Sequence, residues 1–109
     1  VSLPEADIAF ATELFSTLPD LTCRRMFGGM ALYSDGTIFA LLRSDGVILL
    51  KAQANVFAAE LAGYGSEKWT YTRKNGASAA MPYWTLPEAA LDDPDLATTL
   101  AHRALAHLR

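Results

Sequence analysis

The sequence predicts an α+β domain in which an antiparallel β-sheet, a meander with two Asp-Gly hairpins, is packed by N-terminal, middle and C-terminal helices. Three observations predict it. Apolar residues recur at three- and four-residue steps near both ends of the chain, short β-branched apolar runs fill the middle, and Ser-Asp-Gly stands between those runs twice, at Ser34 to Gly36 and at Ser44 to Gly46. A single domain is expected over residues 1–109, because a chain of 109 residues buries roughly two thirds of its unfolded surface in one core and cannot support two.

Ser2 is placed to cap the first helix, with Glu5 three residues on as in a capping box and Pro4 tolerated in the first turn. Ile8, Ala11, Leu14, Phe15 and Leu18 form its inner stripe, and Pro19 and Asp20 stop it. From Leu21 to Ala52 the period changes: "GGMALY", "TIFALLR" and "VILLKA" read as strands, with each Asp-Gly supplying the positive φ of a tight hairpin. Asn55 is expected to cap a short helix through "VFAAELAG", with Val56, Ala59 and Leu61 facing the core and Gly63 ending it in a left-handed turn. "EKWTYTR" alternates as a strand with one buried face, "KNGAS" is a loop, and "AAMPYWTLP" extends toward Pro87. A short turn at Pro87 to Leu91 precedes the last helix, where Asp93 caps, Pro94 takes the first position, and Leu96, Leu100, Ala104 and Leu108 share one side.

Composition excludes several classes of protein. Apolar residues at 51% and charged ones at 19% are incompatible with a disordered tail. A net charge of -3 disfavours direct binding of nucleic acid. No apolar run approaches the ~20 residues that span a bilayer, and the opening "VSLPEAD" lacks the cationic start of a signal peptide, so a cytoplasmic chain with no membrane partner is expected. Cys23, the one cysteine, allows no internal disulfide.

The paired glycines in "RRMFGGMALYSDG" pose the functional question, because Gly28 and Gly29 behind Arg24 and Arg25 could cradle a phosphate or bend a strand. A cradle needs a helix starting just after the glycines, so that its positive end adds to the field. Here strands follow instead. A bend, a bulge or a close backbone approach is therefore the preferred reading.

The string "RRMFGGMALYSDGTIFALL", followed by "LLKA", "WTYTR", "MPYWTLPEAALDDP" and an alanine-leucine helix, resembles the TfoX N-terminal domain family, named for a bacterial competence regulator. Its most specific parts are Met26, Phe27, Gly28 and Gly29, then Met81, Tyr83 and Pro87. The resemblance implies helices packed on an antiparallel sheet, and a role in bacterial transcriptional regulation or protein interaction rather than catalysis, with no cofactor. Full-length TfoX-like regulators add a C-terminal domain of helical hairpin character, so a stand-alone N-terminal module is the expectation here.

The residues expected to meet a partner or ligand are Arg24, Arg25, Phe27, Gly28, Gly29, Arg43, Tyr83 and Trp84. Arg24 and Arg43 would make a small cationic patch if they met on one face of the sheet, suited to a carboxylate, a phosphate or an acidic partner. Trp69, Tyr71, Tyr83 and Trp84 are core aromatics first and interface anchors second. A homodimer through a free strand edge or through these aromatics is a further expectation. The alternative function is a small anionic-ligand or enzymatic pocket using Cys23 with Arg24, Arg25 and Arg43, since nearby cations activate a thiol. A packed, inert Cys23 is preferred to that alternative. His102 and His107, five residues apart on a helix, diverge by about 140° and make a poor metal pair; His107 and Arg109 suit the helix C-terminus instead. Asp92, Asp93 and Asp95 suit a helix start.

Overall fold

Glu5 to Leu14, apolar at three- and four-residue steps, winds into α1 (Glu5–Leu14), the first element of the computed structural model, which describes residues 4–26, 28–72, 76 and 78–108. Four strands follow, β1 (Leu21–Met26), β2 (Gly29–Ser34), β3 (Thr37–Leu42) and β4 (Ile48–Lys51), then α2 (Asn55–Gly63), β5 (Lys68–Thr72), β6 (Ser78–Thr85), α3 (Glu88–Leu91) and α4 (Pro94–Leu108). All six strands join one antiparallel sheet in the order β1-β2-β3-β4-β6-β5. The meander and the three groups of helices stand as the sequence predicts.

Both Ser-Asp-Gly turns close hairpins, by different means. Between β2 and β3, Asp35 (φ 50) and Gly36 (φ 79) are both left-handed and Ser34 pairs Thr37, the two-residue turn whose twist matches that of the strands. Between β3 and β4, only Gly46 (φ 89) is left-handed. There the Gly46 N–H donates to the Arg43 carbonyl at 2.8 Å and the Arg43 N–H to the Val47 carbonyl at 2.8 Å, the pattern of a three-residue loop.

One core lies between the sheet and the helices. Ala11, Leu14, Phe15 and Leu18 from the first helical segment, Phe57 and Leu61 from α2, and Ala97, Leu100, Ala101, Ala104 and Leu105 from α4 pack on Leu32, Ala40, Leu42, Ile48 and Leu50. A bulge in β3 adds to it: the register slips between Leu32↔Ala40 and Tyr33↔Ile38, leaving Phe39 as an extra residue that joins Ala40 on the helix side. Phe39 meets Phe15 edge to face, with ring centroids 5.3 Å apart, and each ring so buried contributes roughly 1.5–3 kcal/mol.

Several local expectations are corrected. Ser2 lies outside the described residues; Pro4 occupies the N-cap position of α1, without a side-chain cap. The helix ends at Leu14 rather than at Pro19, and the turns that follow still bury Phe15 and Leu18. Ala54, not Asn55, is the N-cap residue of α2, and the apolar stripe is Phe57 and Leu61, one turn apart, with Val56 and Ala59 exposed. Gly63 is an ordinary helical residue. The left-handed residue is Gly65 (φ 91), where the Gly65 N–H donates to the Ala62 carbonyl and the Ser66 N–H to the Leu61 carbonyl, the Schellman pattern. At α4 the expected cap is present: the Asp93 Oδ1 accepts from the Leu96 N–H at 3.2 Å. The helix buries a broader stripe than expected, with Leu96 and Leu108 only half-buried at its ends. Most of "KNGAS" lies outside the described residues.

These two glycines of the α2 terminus separate under substitution. Gly63→Ala has open space for its methyl group and is expected to stabilise the protein by about 0.5–1 kcal/mol, whereas Gly65→Ala forces a side chain into a left-handed residue at a cost of roughly 1–2 kcal/mol. Urea unfolding midpoints measure both; the reverse order would place the left-handed turn at Gly63.

Candidate functional site

Strand alternation divides the apolar residues between two faces. Besides the helix-side core, Ala31, Leu41, Leu49 and Tyr83 form a second buried cluster, fringed by the half-buried Met26, Tyr33, Ile38, Val47, Trp69 and Met81. No helical residue belongs to it among the described residues. Met26 of β1 and Trp69 of β5, from the two edge strands of the sheet, line one small hollow with Leu41, Leu42 and Arg43 of the middle, so the sheet curls over this side.

The paired glycines build the turn at one corner of this face. Met26 pairs Gly29 where β1 turns into β2, with Gly28 in the left-handed region at φ 76. A Cβ on Gly29 would stand 1.9 Å from the Leu42 carbonyl oxygen and 3.2 Å from the Arg43 carbonyl carbon. The glycine therefore admits a close approach of two backbones, as the strand-bend reading expects, in a hairpin turn rather than within a continuous strand. Phe27 lies outside the described residues.

Arg24 rises from β1 on the same face, its guanidinium carbon 5.7 Å from the centroid of the Tyr33 ring, within cation–π range. Arg43, just beyond β3, borders the same hollow but is engaged locally: its Nε and Nη2 donate to Asp45 at 2.8 and 2.7 Å, and the Val47 N–H donates to the same carboxylate. That hydrogen bond raises the Arg43 pKa and holds the Asp45 carboxyl below its ordinary range. Arg24 and Arg43 do share a face, but Arg43 arrives with its charge matched, so the cation on β4, Lys51, which pairs Tyr83 in register, is the second positive group of this surface. Arg25 is exposed on the edge strand, one residue along from Arg24 and therefore turned toward the other face.

Tyr83 and Trp84 also alternate. Tyr83 is 5% exposed within the second cluster, and burial, then the neighbouring Tyr33, pushes its phenol up to about 12. Trp84 packs against the helix-side core. Cys23 likewise packs on the helix side, opposite to Arg24, and burial raises its thiol pKa. Cys23 and Arg24 therefore do not share a face, and burial moves the thiol away from its thiolate form. His102 and His107 are both exposed, His107 lying 5.8 Å from the Phe57 ring between centroids; Arg109 lies outside the described residues. Among the described residues no three His, Cys, Asp or Glu side chains converge as a metal set would, and no helix is long and apolar enough to cross a membrane.

Charge is divided between the two layers in a way composition alone conceals. The described strands hold four cations, Arg24, Arg25, Lys51 and Lys68, and no acid, whereas the described helices hold six acids and the lone cation Arg103, which pairs with Glu60. Sequence reasoning missed the second apolar cluster. Its signal was the run of consecutive apolar residues in "TIFALL" and "ILL", since a strand with only one buried face alternates.

The TfoX N-terminal domain model matches residues 13–108, nearly the whole chain. No curated protein matches it.

Gly29→Ala is expected to cost roughly 3 kcal/mol, because the obstacle is backbone that cannot swing aside; a urea midpoint close to wild type would remove the close approach from the account. Tyr83 gives a pH test. Its neutral phenol is the form the fold favours, so the stability it confers is complete below about 10, the unfolded value, and is lost as pH rises toward the folded value of about 12. The thermal midpoint should fall across that alkaline window, and Tyr83→Phe should flatten the fall; an identical decline in the variant would assign it to another group.

Proposed function

The chain belongs to the TfoX N-terminal domain family, and on that premise we propose that it is a non-enzymatic interaction module of bacterial transcriptional regulation, docking a protein partner on the helix-free face of its sheet. The observation that carries this reading is the second apolar cluster, Ala31, Leu41, Leu49 and Tyr83, left without a helical layer among the described residues. The four central residues are themselves buried, and it is the half-buried Met26, Tyr33, Trp69 and Met81 around them that offer a partner the side chains enriched at such contacts.

The rim selects the partner. Arg24 and Lys51 are positive, no described strand residue is acidic, and Arg43 is already matched by Asp45. An acidic segment with apolar anchors satisfies both parts of the surface, the anchors on Met26, Trp69 and Met81 and the carboxylates on the cations. Nucleic acid fits less well, since two cations on a chain of net charge -3 release few counterions and leave the acidic helices to repel the phosphates. A catalytic role for Cys23 has no support in its raised pKa.

Affinity capture from bacterial cells, followed by reconstitution with the purified captured protein, tests the reading. The wild-type domain is expected to retain a protein with an acidic, apolar segment, and Arg24→Glu combined with Lys51→Glu to weaken that complex by roughly tenfold or more. Equal affinity of the reconstituted double variant would overturn the proposed face, and a salt-sensitive gel shift with DNA in place of a protein partner would overturn the proposed class of partner.

A further inference from the structure

On the opposite layer, between α1 and the corner where α3 gives way to α4, lies a groove of about 240 Å³ lined by Phe10, Glu13, Leu14, Leu91, Asp92 and Pro94. Its walls are unusual for this surface. Four large apolar side chains are exposed among the described residues, and two of them, Phe10 at 46% and Leu91 at 37%, stand in this one groove. Phe10 lies one position off the buried Ala11 and Leu14 stripe, so α1 turns the ring toward the α3–α4 corner rather than into the core. Leu14, buried beside it, closes the floor.

The rim carries a carboxylate on each side, Glu13 on α1 and Asp92 at the end of α3, both exposed. Neither enters the ion pairs that Arg43 and Arg103 make with Asp45 and Glu60. An acidic or purely apolar occupant would desolvate both carboxylates without pairing them, at a cost in binding. A guanidinium meets every requirement at once: its plane lies on an aromatic ring, its fork reaches carboxylates, and its aliphatic stem covers apolar surface.

We propose that this groove is a second docking site, which receives an arginine carried on an apolar segment of a partner protein, with Phe10 and Leu91 as the apolar walls and Glu13 and Asp92 as the charge match. It is separate from the sheet-face site in layer and opposite to it in charge. A segment that fits one is repelled by the other.

The test uses the intact domain and two peptides, acetyl-Leu-Arg-Leu-amide and its citrulline counterpart, which keeps the shape and removes the charge. In amide NMR titrations the arginine peptide is expected to shift Phe10, Glu13, Leu14, Leu91 and Asp92 with saturation in the millimolar range, as befits so small a contact. The citrulline peptide should bind roughly fivefold more weakly, the size of an exposed charge pair, and added salt should narrow the gap. Glu13→Gln with Asp92→Asn, at two exposed positions, should bring the two peptides to equal affinity. Absent or scattered shifts, shifts centred on the sheet face, or equal binding of both peptides to the wild-type domain would each overturn the proposal.

Discussion

A six-stranded sheet that is apolar on both faces, served by helices enough to cover one, is the constraint on which this protein's surfaces depend. Pleating sends alternate side chains to opposite sides, so strands as continuously apolar as β3 and β4 must bury both sides or present one. Leu42, Ile48 and Leu50 cluster with residues of α1, α2 and α4, while Leu41 and Leu49, among the described residues, cluster with other strand-side residues, Ala31, Ile38, Val47 and the aromatic and thioether side chains around them. The main core stabilises the fold. The second cluster is built by the same strands on the opposite face, where its half-buried fringe packs against the buried centre.

Two backbone devices decide which residues reach which face. The bulge at Phe39 breaks the alternation of β3 and sends two consecutive side chains, Phe39 and Ala40, into the helix side, where Phe15 waits against the first of them. Gly29 lets the start of β2 touch the end of β3, drawing the β1–β2 turn toward Leu42 and Arg43. Neither device needs a ligand. Both act on the region where Arg24 leans on Tyr33 and Asp45 holds Arg43, so the charge on this side of the sheet is positioned by the fold itself.

The architecture was legible in the sequence where a signal was both local and strong. Asp35-Gly36 and Asp93-Pro94 place a turn and a cap by their own chemistry, and the structure has both. The paired glycines were legible as a backbone feature because no helix follows them. What stayed hidden depended on partners distant in sequence. Phe57 rather than Val56 faces the core because the docking angle of α2 is set by the sheet and α4, and nothing in "NVFAAELAG" fixes that angle. Gly65 rather than Gly63 ends α2 because Leu61 and Ala62 still have carbonyls to satisfy beyond the helix. For the candidate site, Arg24 and Tyr83 lie on one face whereas Trp84 and Cys23 fall on the other, and one residue of register is enough to move a side chain through the sheet.

Segregated charge bears on how such a module chooses its company. Stacking two copies through their helix-free faces would set Arg24 and Lys51 of one against the same residues of the other, and pairing two β1 edges would crowd Arg24 and Arg25 of both chains, so either form of self-association brings like charges together with no acid in the strands to offset them. Juxtaposed like charges in a desolvating contact cost several kcal/mol, comparable to what a few apolar side chains return on burial. The acidic partner proposed above would turn the same charges to advantage, and Glu13, Glu88, Asp92 and Asp95 would repel it from the helix layer. The net charge of -3 therefore conceals a division: the described strands carry cations and no acid, the described helices carry mostly acids, and it is these layers that a partner meets.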